Sequence, residues 1–161
     1  MIYFDNNSTT RVFESTVEAM LPYLTQHFAN PASALAHVNG INRKLQVDKN
    51  RLAKALGADS GEQLIITSGA TESNNLALMG AARANREKRH IIVSSIEHPS
   101  VLETCEELQN EGWHITHLPV DRQGVVNVSS LKNTLSPDTL LVSVMLANNE
   151  TGVIQLVRQL A

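Results

Sequence analysis

Leu64-Ile65-Ile66-Thr67-Ser68-Gly69-Ala70-Thr71-Glu72-Ser73-Asn74-Asn75 is the stretch whose reading decides the fold. A short apolar run stops at a Ser-Gly-Ala-Thr turn, and a helical pattern follows with Leu76, Leu78, Met79 and Ala82. The spacing predicts a strand over 64–67, a tight turn, and a helix over 70–84. Small residues stand where the backbone must come close to something. The first amides of a helix lack intrahelical partners and carry the positive end of its dipole. With a threonine hydroxyl beside them they form a natural phosphate site. Taken alone the signal is weak, because the same residues also describe a plain strand-to-helix turn capped by Ser68.

The alternation continues downstream. Residues 90–94 read as a strand (Ile91, Ile92, Val93), 100–111 as a helix ended by Gly112, and 113–118 as a strand. A short helix over 129–135, with Ser129 or Val128 near its cap, precedes a strand over 140–146 that is apolar on both faces. Such two-faced strands belong to a buried, mostly parallel sheet, and the strand–helix alternation predicts α/β architecture with βαβ crossovers. Upstream, residues 1–12 read as an extended arm. Residues 13–28 follow a helical period (Val17, Met20, Leu21, Leu24, Phe28) broken by Pro22. Asn30-Pro31-Ala32-Ser33 is a turn, and 40–56 an amphipathic helix stopped by Gly57.

Composition narrows the function. At 161 residues the chain can bury a real core, and its net charge of −3 argues against a nucleic-acid partner. The one basic cluster, Arg83, Arg86, Lys88 and Arg89, sits near a predicted helix end, where cations suit the dipole. Cys105 is the single cysteine and cannot form an internal disulfide, which fits a reducing cytoplasm. The N-terminus lacks a signal-peptide pattern, no apolar run reaches membrane-spanning length, and no residue cluster suggests a metal. The expected location is cytoplasmic, without membrane contact.

In parallel α/β sheets the chemistry lies beyond the carboxyl ends of the strands. Ser68-Gly69-Ala70-Thr71 follows the first predicted strand, Ser95-Ile96-Glu97-His98-Pro99 the second, and Ala147-Asn148-Asn149-Glu150-Thr151-Gly152 the fourth. His98 can stack on a flat ligand or move a proton, or simply cap the helix that Pro99 begins. The Asn-Asn-Glu loop can be an ordinary turn. Three polar loops in this order are more specific than any one of them.

The chain resembles the N-terminal part of a cysteine desulfurase of the NifS/IscS type, a class V aminotransferase family of pyridoxal-phosphate (PLP) fold type I. The resemblance rests on five pieces in family order: Tyr3-Phe4-Asp5-Asn6-Asn7-Ser8-Thr9-Thr10, Asn30-Pro31-Ala32-Ser33, Thr67 through Asn75, Glu97-His98-Pro99-Ser100-Val101-Leu102, and Ala147 through Gln155. It implies a three-layer α/β/α large domain over 13–161, incomplete after about four strands. It implies that Ala70 and Thr71 hold the phosphate of PLP, and that His98 stacks on the cofactor ring and assists proton transfer. Asn149 would stand beside the ring hydroxyl and the substrate carboxylate. It further implies L-cysteine as substrate, converted to alanine as its sulfur passes to an enzyme persulfide for iron–sulfur cluster assembly or other sulfur delivery. A sulfur-acceptor protein and a homodimer, or association with a related chain, go with that activity.

The departures are equally specific. The family's PLP-anchoring lysine lies in a Ser-Gly-His-Lys type motif, and none of Lys44, Lys49, Lys54, Lys88 and Lys132 has that context. Cys105 does not match the family's persulfide cysteine, and Glu103, Glu106 and Glu107 are expected to raise its pKa, so it reads as structural. Ser8 replaces a common alanine, and the loop from Ala34 to Gly40 is slightly longer than in the family. With later strands missing, an uncovered 140–146 edge is expected to make the isolated polypeptide fold poorly, associate, or require a partner. Two alternatives stay open: a selenocysteine lyase or other class V enzyme, and a non-catalytic remnant that binds PLP weakly or pairs with a full-length relative.

Overall fold

A computed structural model describes residues 2–34, 40–85 and 87–161. The loop beyond Ala34 and the Arg86 member of the basic cluster lie outside the described residues. The chain divides into two compact units, Met1–Ile66 and Thr67–Ala161.

The first unit holds helix α1 (Glu14–Thr25), helix α2 (Ile41–Ala55) and a 3₁₀ turn over Gly61–Gln63. The arm before α1 folds a turn of its own, with the amides of Ser8 and Thr9 bonded to the Asp5 carbonyl. Helix α1 runs through Pro22, where the sequence pattern predicts a break. Proline's φ is itself helical, and the one carbonyl robbed of a donor belongs to Glu18, which is exposed and open to water. Helix α2 ends as expected at Gly57, whose φ of 79° is left-handed. The Gly57 amide bonds the Lys54 carbonyl and the Ala58 amide the Ala53 carbonyl, so two of the helix's last carbonyls are satisfied.

The second unit is the α/β body. Helix α3 (Ala70–Ala84) leads to strand β1 (His90–Ser94), helix α4 (Pro99–Asn110) and strand β2 (His114–Leu118). Helix α5 (Val128–Thr134), strand β3 (Thr139–Ser143) and the short helix α6 (Val157–Leu160) complete it. The strands form a parallel sheet in the order β2-β1-β3. Central β1 is buried along its whole length. Its Ile91 and Val93 face Leu78 and Ala82 of α3, Val101, Cys105 and Leu108 of α4, and Trp113. Ile92, on the opposite face, packs with Leu118, Val126, Leu131 of α5 and Leu160 of α6. Helices therefore cover both sheet faces, the three-layer arrangement expected.

Residues 64–67 correct the expectation of a further strand: they are extended but pair with no strand among the described residues. A strand is defined by hydrogen bonds to a neighbour, and without one Ile65 and Ile66 stay 71% and 64% exposed. The cap of α5 is also corrected. It is Asn127, whose side-chain oxygen accepts from the amides of Ser129 and Ser130, satisfying two free donors with one acceptor.

The crossovers locate a crevice. β1 hands the chain to α4 on one face of the sheet, whereas the chain after adjacent β3 reaches α6, packed on the other face. Adjacent parallel strands whose continuations part to opposite faces leave an opening at their carboxyl ends, where α/β proteins bind ligands.

Candidate functional site

The opening between β1 and β3 is a cleft of ≈ 320 Å³ lined by Ile96, Glu97, His98, Pro99 and by Asn148 to Thr151. Two of the expected site residues, His98 and Asn149, meet here. Both are exposed to solvent on the cleft wall.

Their placement is enforced by buried neighbours. Glu97 is 8% exposed, and its Oε1 accepts from the Ser94 hydroxyl and from the backbone amide of Met145 at 2.7 Å. A carboxylate in this setting satisfies two donors while tying the end of β1 to the stretch after β3. Asn148 Nδ2 donates to the Ile96 carbonyl at 3.0 Å, a second tie between the same loops. Its Oδ1 accepts from the amides of Glu150 and Thr151 and from the Thr151 hydroxyl, which turns the chain and sets Asn149 at the apex. The loop closes through the Ala147–Ile154 bridge. Buried Gln155 then anchors the returning chain, accepting from the Val126 amide and donating to the Gly124 carbonyl.

His98 is the N-cap of α4 through its ring: Nδ1 accepts from the Ser100 amide at 3.1 Å. The capping reading of the sequence is met, and the cap uses only Nδ1, so Nε2 is not engaged by it.

Ala70 and Thr71 lie outside the cleft lining, at the start of α3. The cap position is Gly69, which has no side chain to offer. Ser68 does not cap by accepting, as the sequence suggests. Its amide and hydroxyl instead donate to the Glu72 carboxylate at 2.7 and 2.6 Å, and these bonds hold that carboxyl below its ordinary pKa. The first intrahelical bond belongs to Ser73, so the amides of Ala70, Thr71 and Glu72 have no acceptor among the described residues. The Thr71 hydroxyl is likewise unbonded among them, and its carbonyl accepts from Asn75. A cluster of free donors at a helix N-terminus suits an anion. Helix α3 is joined to the cleft by Asn74, whose Nδ2 donates to Ser100 Oγ at 2.8 Å.

Cys105 is fully buried in α4, and its thiol is pushed up to about 11 by burial first and by the charge of Glu97 second. The direction matches the sequence reading, but the cause does not: Glu103, Glu106 and Glu107 are exposed, and solvent screens them. No lysine lines the cleft, and Lys88 donates to the Thr139 carbonyl elsewhere. Sequence reasoning passed over Glu97, Asn148, Ser100 and Asn74 as positioning residues. All four lie inside the quoted motifs, and polar residues on both sides of a site residue are the signal that marks them.

The family description Aminotransferase class-V matches residues 2–161. A curated relative, cysteine desulfurase IscS of Methanosarcina thermophila, is 46% identical over 99% of this chain and 39% of its own length. Among solved structures, a NifS-like protein superimposes with a TM-score of 0.93 at 40% identity, covering 99% of this chain and 44% of that one. SspA in complex with cysteine superimposes at 0.90 and 34% identity, covering 98% and 46%. The chain spans about two fifths of the length of the curated relatives it matches.

Proposed function

The chain belongs to the class V aminotransferase family, and from that membership we propose that it forms the phosphate-gripping and ring-stacking part of a PLP-dependent cysteine desulfurase. The observation that carries the reading is one face of a cleft bearing His98 and Asn149, linked through Ser100 and Asn74 to a helix whose first amides are free. The donor set fits PLP. The amides of Ala70 and Thr71 and the Thr71 hydroxyl match a phosphate, His98 offers a flat aromatic face, and Asn149 offers an amide for a ring hydroxyl or a carboxylate.

In this reading Ala70 and Thr71 hold the phosphate at the positive end of the α3 dipole. His98 lies against the cofactor ring and holds or moves a proton at Nε2. Asn149 orients the substrate carboxylate, and the Glu97 and Asn148 ties keep the two loops at a fixed separation. PLP, when bound, supplies an electron sink for chemistry at the substrate's α-carbon. L-cysteine as substrate, a sulfur-acceptor partner, sulfur delivery to iron–sulfur clusters and a homodimeric state are proposals for the whole protein. The Ser-Gly-His-Lys type motif occurs nowhere in these 161 residues, and none of the five lysines lines the cleft.

A titration of the purified chain with PLP and with pyridoxal tests the grip. PLP is expected to bind reversibly and at least tenfold more tightly than pyridoxal, and borohydride reduction is expected to leave no adduct at a single specific lysine. Equal affinity for the two ligands would remove the phosphate site.

A further inference from the structure

We propose that Ser100 and Asn74 are positioning residues that fix the tautomer of His98. In the neutral ring the single proton then stands on Nε2, and only that nitrogen serves the cleft. The inference rests on the reading of His98 given above, but its observations are independent of any ligand. The Ser100 backbone amide points at His98 Nδ1 from 3.1 Å, and an amide can only donate, so it favours an unprotonated Nδ1, a preference that the side chains of Ser100 and Asn74 are placed to strengthen. The Ser100 hydroxyl is also 2.9 Å from Nδ1. That hydroxyl accepts from Asn74 Nδ2 at 2.8 Å, and its own proton is available to Nδ1. Nδ1 thus faces one fixed donor, the amide, and one hydroxyl that can donate to it, and Asn74 favours that orientation by occupying one of the two acceptor positions of the hydroxyl. Ser100 is 5% exposed, so water does not compete well for these groups.

The position of Asn74 adds a second consequence. It lies three residues after Thr71 on α3, within one helical turn of the free amides. The helix that offers phosphate donors and the histidine that offers a ring face are therefore coupled by the relay Asn74–Ser100–His98. Displacing the start of α3 would disturb the hydroxyl that orients the ring. Glu97, the adjacent carboxylate, is engaged with Ser94 and Met145 and does not contact Nδ1.

The test reads the imidazole directly. The full chain is labelled with ring-¹⁵N histidine, and the His98 signals are assigned by their absence in His98→Gln. Wild type is expected to show an acceptor-type Nδ1 and a protonated Nε2. Asn74→Ala and Ser100→Ala are expected to raise the Nδ1–H fraction and to weaken PLP binding about two- to tenfold, the scale of one neutral hydrogen bond. Ser100→Thr, which keeps the hydroxyl, restores both. Far-ultraviolet circular dichroism identifies any variant that fails to fold, and Ser100→Thr against Ser100→Ala then carries the comparison. A wild-type Nδ1–H tautomer, or a ratio unchanged in both alanine variants, overturns the proposal. The tautomer is measured without PLP, so failure of the chain to bind PLP would sink the functional reading and leave this result standing.

Discussion

The carboxylate of Glu97 accepts a hydrogen bond from the backbone amide of Met145 at 2.7 Å, joining residues 48 positions apart across the mouth of the sheet. Two loops that the chain reaches at different times are made into one wall by this bond and by the Asn148–Ile96 contact.

Glu97→Ala leaves the Met145 amide and the Ser94 hydroxyl without an acceptor in a water-poor place. An unsatisfied buried donor costs about 1–3 kcal/mol, so the urea midpoint is expected to fall by an amount in that range. Glu97→Gln retains an acceptor oxygen and is expected to lose less. An alanine variant as stable as wild type would show that the latch carries no energy.

Thr71→Val keeps the shape of the helix start and removes one donor. A hydrogen bond to a charged group is worth about 1.5–3 kcal/mol, so PLP affinity is expected to drop by about one to two orders of magnitude while pyridoxal affinity is unchanged. Fluorescence titration of both ligands checks this, and an equal loss for both would point to a folding defect.

His90 sits at the amino end of the sheet, buried and stacked on His114 with ring centroids 4.6 Å apart. Its nitrogens meet the hydroxyls of Thr139 and Thr116, both at 2.9 Å. Burial first and the His114 charge second lower its pKa below the usual 6.5, against a smaller opposing pull from Asp138. The folded protein therefore binds a proton less readily than the unfolded chain. The contribution of a neutral His90 is fully present above pH 6.5 and declines as pH falls below it, levelling off under the depressed folded value. Urea midpoints at pH 7.5 and 5.5 are expected to show this loss, and His90→Gln is expected to reduce it. Identical pH dependence in the variant would assign the loss to other groups.

Cys105 is fully buried, with its thiol raised to about 11, so native protein is expected to react with a thiol reagent only through unfolding. The labelling rate should then rise with urea in step with the unfolded fraction. Rapid labelling in the absence of denaturant would refute the burial. Cys105→Ser places a hydroxyl among Ile91, Val93, Val101 and Leu108, and is expected to destabilise by about 1–3 kcal/mol.

Local pattern carried much of this molecule. The periodicity of 70–84 and the apolar run Ile91-Ile92-Val93 announce α3 and β1, and both form at their expected bounds. Gly57 and Gly112 announce helix ends, and both occupy left-handed backbone there. The limits of local pattern are just as clear at Pro22 and at 64–67. A proline suits a helix when the orphaned carbonyl faces water, and an apolar run becomes a strand only when another strand lies beside it. Neither condition is written in the neighbouring residues.

The sequence by itself determined the family and, apart from residues 64–67, the order of elements in the α/β body, since those follow from motifs and short-range periodicity. Tertiary structure alone decided how the site is held together. Glu97 reaches Met145, Asn148 reaches Ile96 and Asn74 reaches Ser100 across separations of 48, 52 and 26 residues. Each is a hydrogen bond between groups that only the parallel crossovers bring together. A polar residue's partner is set by that long-range path and not by its own neighbours, so the roles of Glu97, Asn74 and Ser100 emerged only when the sheet was built.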